Sequence, residues 1–373
     1  MNEIGAKSLT LLHGNRRHNT LLIRTYASPE GGFGHLKRTL ILAQEIQKFV
    51  HPLFLLDSND CWSQGQVESS GFEMRLFDPS DPWAALAETG AILIDTRNRT
   101  GLPKLISAAR HGSIPVASIH DLGLAPLPSD LVIDGSILPA YFGSYGDSVA
   151  CIGTDYLILP EACRIRRRTR KRIRSRIKKV VVNLGGGNGS RFFFKVLTGL
   201  KKCDLPLEVV GFPGFCSWGQ DAIGAKEWAP LNFRWLDSGE SAIDSLFDAD
   251  LVITAGGLSA YEALCVGSPV CALSYDRYQD VAVTALARVG ALLNLGRGSR
   301  MKSADIASYF RLLDRDLDRR HRFSMRGQKV VDGKGVYRVS RLLRRLIFEG
   351  KLDYDIGGIS LPSTGCLPCG GHR

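Results

Sequence analysis

Apolar residues in this chain come in short runs separated by longer stretches whose apolar positions recur every three or four residues. Leu21 to Tyr26 (LLIRTY) is one such run, and it leads into a glycine-rich turn. Leu36 to Val50 follows with the spacing of an amphipathic helix. Leu53 to Leu56 is the next strand, and Ala91 to Asp95 (AILID), Val116 to His120 (VASIH) and Leu131 to Ile133 (LVI) continue the series. Strands of four to six apolar residues alternating with helical spacing predict a mostly parallel sheet with helices on both faces.

The rhythm stops between about residues 150 and 180 and then restarts. Val180 to Leu184 (VVVNL) runs straight into Gly185, Gly186 and Gly187, Leu207 to Gly211 (LEVVG) comes next, and Leu251 to Thr254 (LVIT) runs into Gly256 and Gly257. Each half begins with a strand that feeds a glycine turn, which predicts an α/β protein of two Rossmann-like domains. The expected division is an N-terminal extension over 1–20, a first domain over 21–160, a connector over 161–179, a second domain over 180–350 and a Gly/Pro-rich tail over 351–373. A helical region from Ser303 to Phe348, interrupted around Gly327 and Gly333, either closes the second domain or packs back onto the first.

A length of 373 residues and a 44% hydrophobic composition fit this plan and argue against disorder. The net charge of +11 at first suggests a polyanion partner. All of that excess sits in Arg164 to Lys179 (RIRRRTRKRIRSRIKK), whose eleven basic residues meet no acid. As a helix, this segment would carry Ile165, Ile173 and Ile177 on one side, enough to dock a solvated connector. An anionic membrane surface is the alternative partner. Nucleic acid is disfavoured, because no RNP, KH or helix-turn-helix pattern and no aromatic interleaving accompanies the charge. Nine scattered cysteines do not make a disulfide scaffold, and neither a signal h-region nor an apolar window of about 20 residues occurs. A reducing, cytoplasmic setting follows, with the basic segment leaving room for peripheral contact with the inner membrane face. Cys366, Cys369 and His372 in the tail fall one ligand short of a structural zinc site.

Two segments carry candidate chemistry. The first is Gly31-Gly32-Phe33-Gly34-His35-Leu36-Lys37-Arg38, where glycines between a strand end and a helix start let backbone amides approach an anion. His35 stands at that junction, where the helix N-terminus would keep it neutral and able to take a proton from water or a hydroxyl. A plain helix-capping histidine is the alternative. The third glycine of a dinucleotide fingerprint is missing, Lys37 standing in its place, and no GKS or GKT of a P-loop occurs.

The second segment is Thr254-Ala-Gly256-Gly257-Leu-Ser259-Ala-Tyr-Glu262, followed by Gly267-Ser-Pro269 and, later, Gln279. A strand, glycine turn, helix, turn and strand follow in the order that a nucleotide site uses. Ser259 would present helix-terminal amides to a diphosphate, and Glu262 would suit ribose hydroxyls. The same two residues also read as an ordinary S-x-x-E capping box.

The motifs G-F-G-H-L-K-R-x-L-x-L-A and A-G-G-x-S-x-x-E-A-L-x-x-G-x-P, with Gln279 beyond, resemble the UDP-sugar hydrolases of the pseudaminic-acid pathway (PseG type), relatives of the MurG-like GT-B glycosyltransferases. A looser match is the hinge-like Cys151-Ile-Gly-Thr-Asp-Tyr156-Leu-Ile-Leu-Pro-Glu161, and the resemblance spans about residues 21 to 297. It implies a GT-B fold with UDP held by the second domain and the sugar facing the first, and no metal or other cofactor. His35 would activate water for attack at the anomeric carbon. Gly31, Gly32, Gly34, Gly185, Gly186, Gly256, Gly257, Ser259, Glu262 and Gln279 would bind UDP, and Asp95, Tyr156 and Asn188 are further candidates for sugar contacts. Capping the next turn and plain packing are the alternatives for Asp95 and Tyr156. Relatives usually carry G-G-x-D-x-x-N where this chain has Gly185-Gly-Gly-Asn188-Gly-Ser190, which leaves the sugar open. The primary expectation is a UDP-sugar hydrolase acting in nonulosonic-acid or surface-polysaccharide synthesis. A glycosyltransferase in which an acceptor hydroxyl replaces water is the alternative, and a binding protein on an inactive GT-B scaffold is a third reading.

Overall fold

The chain folds around two parallel sheets, seen in a computed structural model that describes residues 19–28, 32–57, 61–120, 127–138, 148–185, 190–212 and 228–349. Expectations that fall on residues 1–18, on Gly31, Gly186 and Asn188, or on the tail with Cys366 and Cys369 lie outside these residues. The first half contains β1 (Thr20–Thr25), α1 (Gly34–Ile46), β2 (His51–Leu56), α2 (Cys61–Ser69), β3 (Glu73–Leu76), α3 (Pro82–Leu86), β4 (Ala91–Asp95), α4 (Leu102–His111), β5 (Val116–Ile119), β6 (Leu131–Asp134) and β7 (Val149–Ile152). After a 3-10 turn at Thr154–Tyr156 and α5 (Glu161–Arg167), the second half opens with β8 (Lys179–Asn183), α6 (Ser190–Lys201), β9 (Glu208–Gly211) and β10 (Asn232–Trp235). It continues with α7 (Ala242–Asp248), β11 (Leu251–Ala255), α8 (Leu258–Val266), β12 (Val270–Ser274), α9 (Arg277–Arg288) and β13 (Leu293–Arg297). Three helices close the chain: α10 (Ser303–Arg315), α11 (Leu317–Val330) and α12 (Gly335–Glu349).

The strand orders are β3-β2-β1-β4-β5-β6-β7 and β10-β9-β8-β11-β12-β13. In both sheets the order reverses next to the first strand of the domain, between β1 and β4 and between β8 and β11. Loops leave on opposite sides of the sheet there and open a crevice at the carboxyl ends of the strands. The apolar runs named from the sequence are the interior strands. β3, β7, β10 and β13, which the pattern missed, are the four sheet edges. β3 reads EMRL and is largely exposed, as an edge strand can be.

Alternation along each strand decides what lies on each face. Leu21, Ile23, Ala91 and Leu93 pack on the side of α1, whereas Leu22, Ile92 and Ile94 pack with Leu102 and Leu105 of α4. In the second sheet Val180, Val182 and Ile253 meet residues of α6 and α10, and Val181 and Val252 meet α8.

The C-terminal helices correct two expectations. The assignment of 180–350 to the second domain fails at its end, because α12 buries Val336, Val339, Leu343 and Ile347 in the first domain's core. Its start is pressed against the hinge: a Cβ on Gly335 would lie 2.1 Å from the Leu157 carbonyl oxygen. The expected interruption at Gly327 is absent too. This glycine lies inside α11, where a Cβ would meet Leu264 at 2.9 Å, so it permits helix contact and does not end a helix. The break falls at Asp332 to Lys334, where Gly333 has φ +73°.

The basic segment is not one helix. α5 ends at Arg167 and residues 169–178 run on without helix, so Ile173 and Ile177 are buried while Ile165 is 53% exposed. Several of the segment's charges meet acids of the second domain. Arg166 bonds Asp244, Arg174 lies 3.1 Å from Asp250, Arg176 lies 2.8 Å from Asp314 and Lys179 lies 3.1 Å from Glu208. Lys171 donates to the carbonyls of Phe247 and Ala249, and its burial pushes its pKa down to about 8. Fully buried Arg320 donates to the carbonyls of Arg174 and Ser175 at 2.7 Å and so holds the strap from beneath. These contacts tie the connector to the second domain. Among the described residues, no helix is long and apolar enough to cross a membrane.

Candidate active site

β1 and β4 run in parallel register with Thr25 opposite Asp95, so both strands end at the same level. Alternation puts Asp95 on the face that Ala91 and Leu93 share, toward α1. The chain leaves β1, closes a loop through paired backbone bonds between Ser28 and Gly32 (2.7 and 3.2 Å), and enters α1 at Gly34. Gly32 has φ +74°, a conformation that costs a residue with a Cβ and costs glycine nothing. This turn returns His35 over the end of β4.

There His35 Nδ1 lies 2.7 Å from Asp95 Oδ1, with the imidazole 4% exposed and the carboxylate fully buried. Arg38, one turn along α1, donates to both carboxylate oxygens, from Nε at 2.6 Å and from Nη2 at 2.5 Å. Nη2 also lies 3.0 Å from His35 Nδ1. The 2.7 Å contact with a carboxylate, shorter than the 3.0 Å one with the Arg38 guanidinium, suits a proton on Nδ1, since an unprotonated Nδ1 would turn its lone pair toward the carboxylate. Nε2 is then the basic atom. Burial opposes ionisation of Asp95, but the charges of Arg38 and His35 and their hydrogen bonds outweigh it, and the pKa lies below the usual carboxylate range. Tyr26 packs its ring 5.0 Å from the imidazole.

The opposing wall comes from the second crevice. Gly256 and Gly257 follow β11, and α8 starts at Leu258 with Gly257 as its N-cap. A Cβ on Gly256 would sit 2.7 Å from Val283 and 3.1 Å from the Gln279 carbonyl, whereas one on Gly257 would meet nothing within 4 Å. The first glycine therefore lets α9 approach, and the second leaves room on the cleft side. Ser259 is no capping residue: its Oγ accepts from Asn183 Nδ2 at 3.0 Å, at the end of β8. Glu262 does not complete a capping box either. It is 2% exposed and pairs with Lys37 Nζ at 2.6 Å, across the cleft from α1. Gly185 turns at φ +79° and donates its amide to Asn183 Oδ1, and Gln279 Oε1 accepts from the Tyr275 amide at 3.2 Å.

Between the walls lies a cavity of about 70 Å³ whose lining includes Arg38, His120, Gly135, Tyr156, Gly257 and Tyr261. His120, just past β5, has its pKa lowered by burial and by the charges of Arg99 and Arg38, against the opposing pull of Asp134 and Asp95. Tyr156 reaches this cavity as a packed ring, 4% exposed, and burial, with Cys151 beside it, drives its phenol upward in pKa.

The structure thus brings His35, Gly32, Gly34, Gly256, Gly257, Ser259 and Glu262 to one cleft, with Gly185 and Gln279 at its second-domain side. It corrects the expectation that Asp95 touches the sugar, because both carboxylate oxygens are taken and none of its surface is exposed. Arg38, Lys37, Asn183 and His120 were missed. The spacing of Arg38, one turn after His35, was the available signal. The other three matter through contacts between distant segments.

The chain shows partial likeness to known proteins. No protein-family model matches it. It is 29% identical over 196 residues to the spore coat polysaccharide biosynthesis protein SpsG of Bacillus subtilis, a match covering 52% of this chain. The matches span 58% and 56% of the length of the two curated relatives compared. Among solved structures, Acinetobacter baumannii MurG superposes with a TM-score of 0.63 at 15% identity, over 87% of this chain and 99% of that one. Anabaena HepE, determined in complex with UDP and glucose, gives a TM-score of 0.55 at 14% identity, over 87% of this chain and 99% of that one. At such identities the likeness is one of fold, and the fold is GT-B: two parallel-sheet Rossmann-like domains facing across a cleft.

Proposed function

We propose that the protein is a nucleotide-sugar enzyme of the GT-B glycosyltransferase type, acting in polysaccharide biosynthesis and transferring a sugar from UDP to an acceptor hydroxyl. The observation that carries the reading is the His35–Asp95–Arg38 cluster at the mouth of the first crevice, opposite the glycine-opened start of α8. Asp95 fixes the imidazole with Nδ1 protonated, and Nε2 takes the proton of the attacking hydroxyl as its oxygen bonds to the anomeric carbon. The bond from that carbon to the diphosphate breaks with its electron pair on the phosphate oxygen. Amides at the start of α8 offset the charge that develops there, and Glu262 and Gln279 hold the ribose end. Likeness to SpsG supports the polysaccharide setting, and the UDP in the HepE structure supports the nucleotide. The reaction belongs in the cytoplasm on this reading.

Water as the attacking group is the second reading. The G-F-G-H motif behind the hydrolase resemblance is the segment that carries the assembled base. A screen of UDP-sugars for UDP release, with and without candidate acceptors, separates the two. Release that depends strictly on an acceptor supports transfer, and release without one supports hydrolysis. His35→Ala should abolish release while UDP still binds. Unchanged turnover in that variant would overturn both readings.

A further inference from the structure

The pair between Lys37 and Glu262 joins residues 225 positions apart, from α1 on one side of the cleft to α8 on the other, at 2.6 Å. Glu262 is 2% exposed, and Lys37, with a side chain 37% exposed, comes from the opposite wall of the cleft to its Oε1. A ribose diol held by Glu262 donates from both hydroxyls to that same carboxylate. Diol and ammonium therefore compete for one face of one group.

We infer that Lys37 is a leaving-group residue stored on the ribose site: nucleotide binding displaces its ammonium from Glu262, and the displaced cation turns to the diphosphate. The inference rests on the assignment of Glu262 to the nucleotide in the reading above. Lys37 follows His35 by two residues in the first turn of α1, and the preceding Gly34 faces Leu258 at the start of α8. Its flexible four-carbon stem reaches α8 already and can reach a diphosphate seated at the start of that helix. The electron balance is simple: the anomeric carbon–oxygen bond breaks toward phosphate, the nucleophile's proton goes to His35, and Lys37 stays protonated while offsetting the charge on UDP. The same pair makes affinity for a nucleoside lower than the site could give, because binding must first break an ion pair.

The test compares wild type, Lys37→Gln, Lys37→Arg and the double variant Lys37→Gln with Glu262→Gln by calorimetric titration with uridine and with UDP, alongside kcat for UDP release. Uridine has no phosphate and reads the competition alone. It should bind Lys37→Gln roughly two- to fivefold tighter, the scale of one modest ion pair. The preference for UDP over uridine should shrink by about tenfold in the same variant, with kcat falling at least as far, and Lys37→Arg should restore both. Uridine affinity that is unchanged or weaker in Lys37→Gln overturns the competition, and an unchanged UDP preference and kcat overturns the leaving-group role. Glu262→Gln made in the Lys37→Gln background, where no ion pair competes, isolates the underlying reading: if the double variant binds uridine as Lys37→Gln does, the nucleotide assignment itself is wrong. If it binds more weakly than Lys37→Gln while Lys37→Gln matches wild type, only the role of Lys37 falls.

Discussion

Replacing Asp95 by Asn keeps the shape of the side chain and removes one charge at the centre of the cluster. The carboxylate is fully buried and accepts at 2.5, 2.6 and 2.7 Å from Arg38 and His35. An amide offers a single acceptor oxygen. If its nitrogen faces His35, the imidazole proton moves to Nε2 and the basic atom is lost. In either orientation its nitrogen opposes one donor of Arg38, which contacts both oxygens of Asp95, and the guanidinium, 11% exposed, has no counter-charge. Removing one partner of a buried pair costs about 3–5 kcal/mol of stability. A wrong tautomer or a loose base lowers turnover by about 10²–10⁴, which at 1.36 kcal/mol per decade is about 2.7–5.4 kcal/mol of barrier. UDP release at saturating sugar donor, urea unfolding and UDP titration measure the three quantities. UDP binding should persist, because Gly257, Ser259 and Glu262 belong to the other domain, and a cooperative urea transition of the domain that carries Asp95 shows that the variant is folded. A folded Asp95→Asn protein with wild-type kcat would refute the assignment of Asp95 as the residue that positions His35.

The same carboxylate sets an acid dependence. Its native pKa lies below the unfolded value of about 3.9, so the cluster contributes fully above roughly pH 5 and is lost as pH falls through the native pKa. The stability gap between wild type and Asp95→Asn, followed by urea unfolding from pH 6 downward, should therefore narrow with acid; a constant gap contradicts it. The two glycines before α8 should separate packing from binding. Gly256→Ala forces a Cβ to 2.7 Å from Val283 and should cost about 1–3 kcal/mol in unfolding experiments. Gly257→Ala meets no atom and should melt as wild type does, yet bind UDP about tenfold more weakly, because its methyl projects into the cleft.

Much of the architecture was legible as local pattern. The interior strands of both sheets are buried on two faces, so they read as apolar runs, and β1, β8 and β11 lead on into glycine-rich turns. That was enough to find the two crevices, His35, and the Gly256 to Glu262 segment. The sheet edges β3, β7, β10 and β13 escaped because a strand with a neighbour on one side alone need not be apolar throughout. The helix pattern of α12 was visible, but a helix carries no mark of which domain it will cover. Its buried face, Val336 to Ile347, fits a core built from Leu21 to Ile158, in the first half of the chain.

Sequence by itself determined the two-domain parallel α/β plan, the glycine turns at the reversal of strand order, and the histidine at the start of a helix, since each depends on residues a few positions apart. Tertiary structure alone decided what those residues do. Asp95 is 60 residues from His35 and becomes its partner because two strands end in register. Ser259 and Glu262 have the spacing of a capping box, yet Asn183 and Lys37, from other strands and helices, take them instead. Arg166, Arg174 and Arg176 of the basic segment that dominated the net charge pair with Asp244, Asp250 and Asp314, acids they meet only when the second domain folds against them. Spacing along a chain reports local geometry, whereas the partner of a charge is set by whatever the fold brings within about 3 Å.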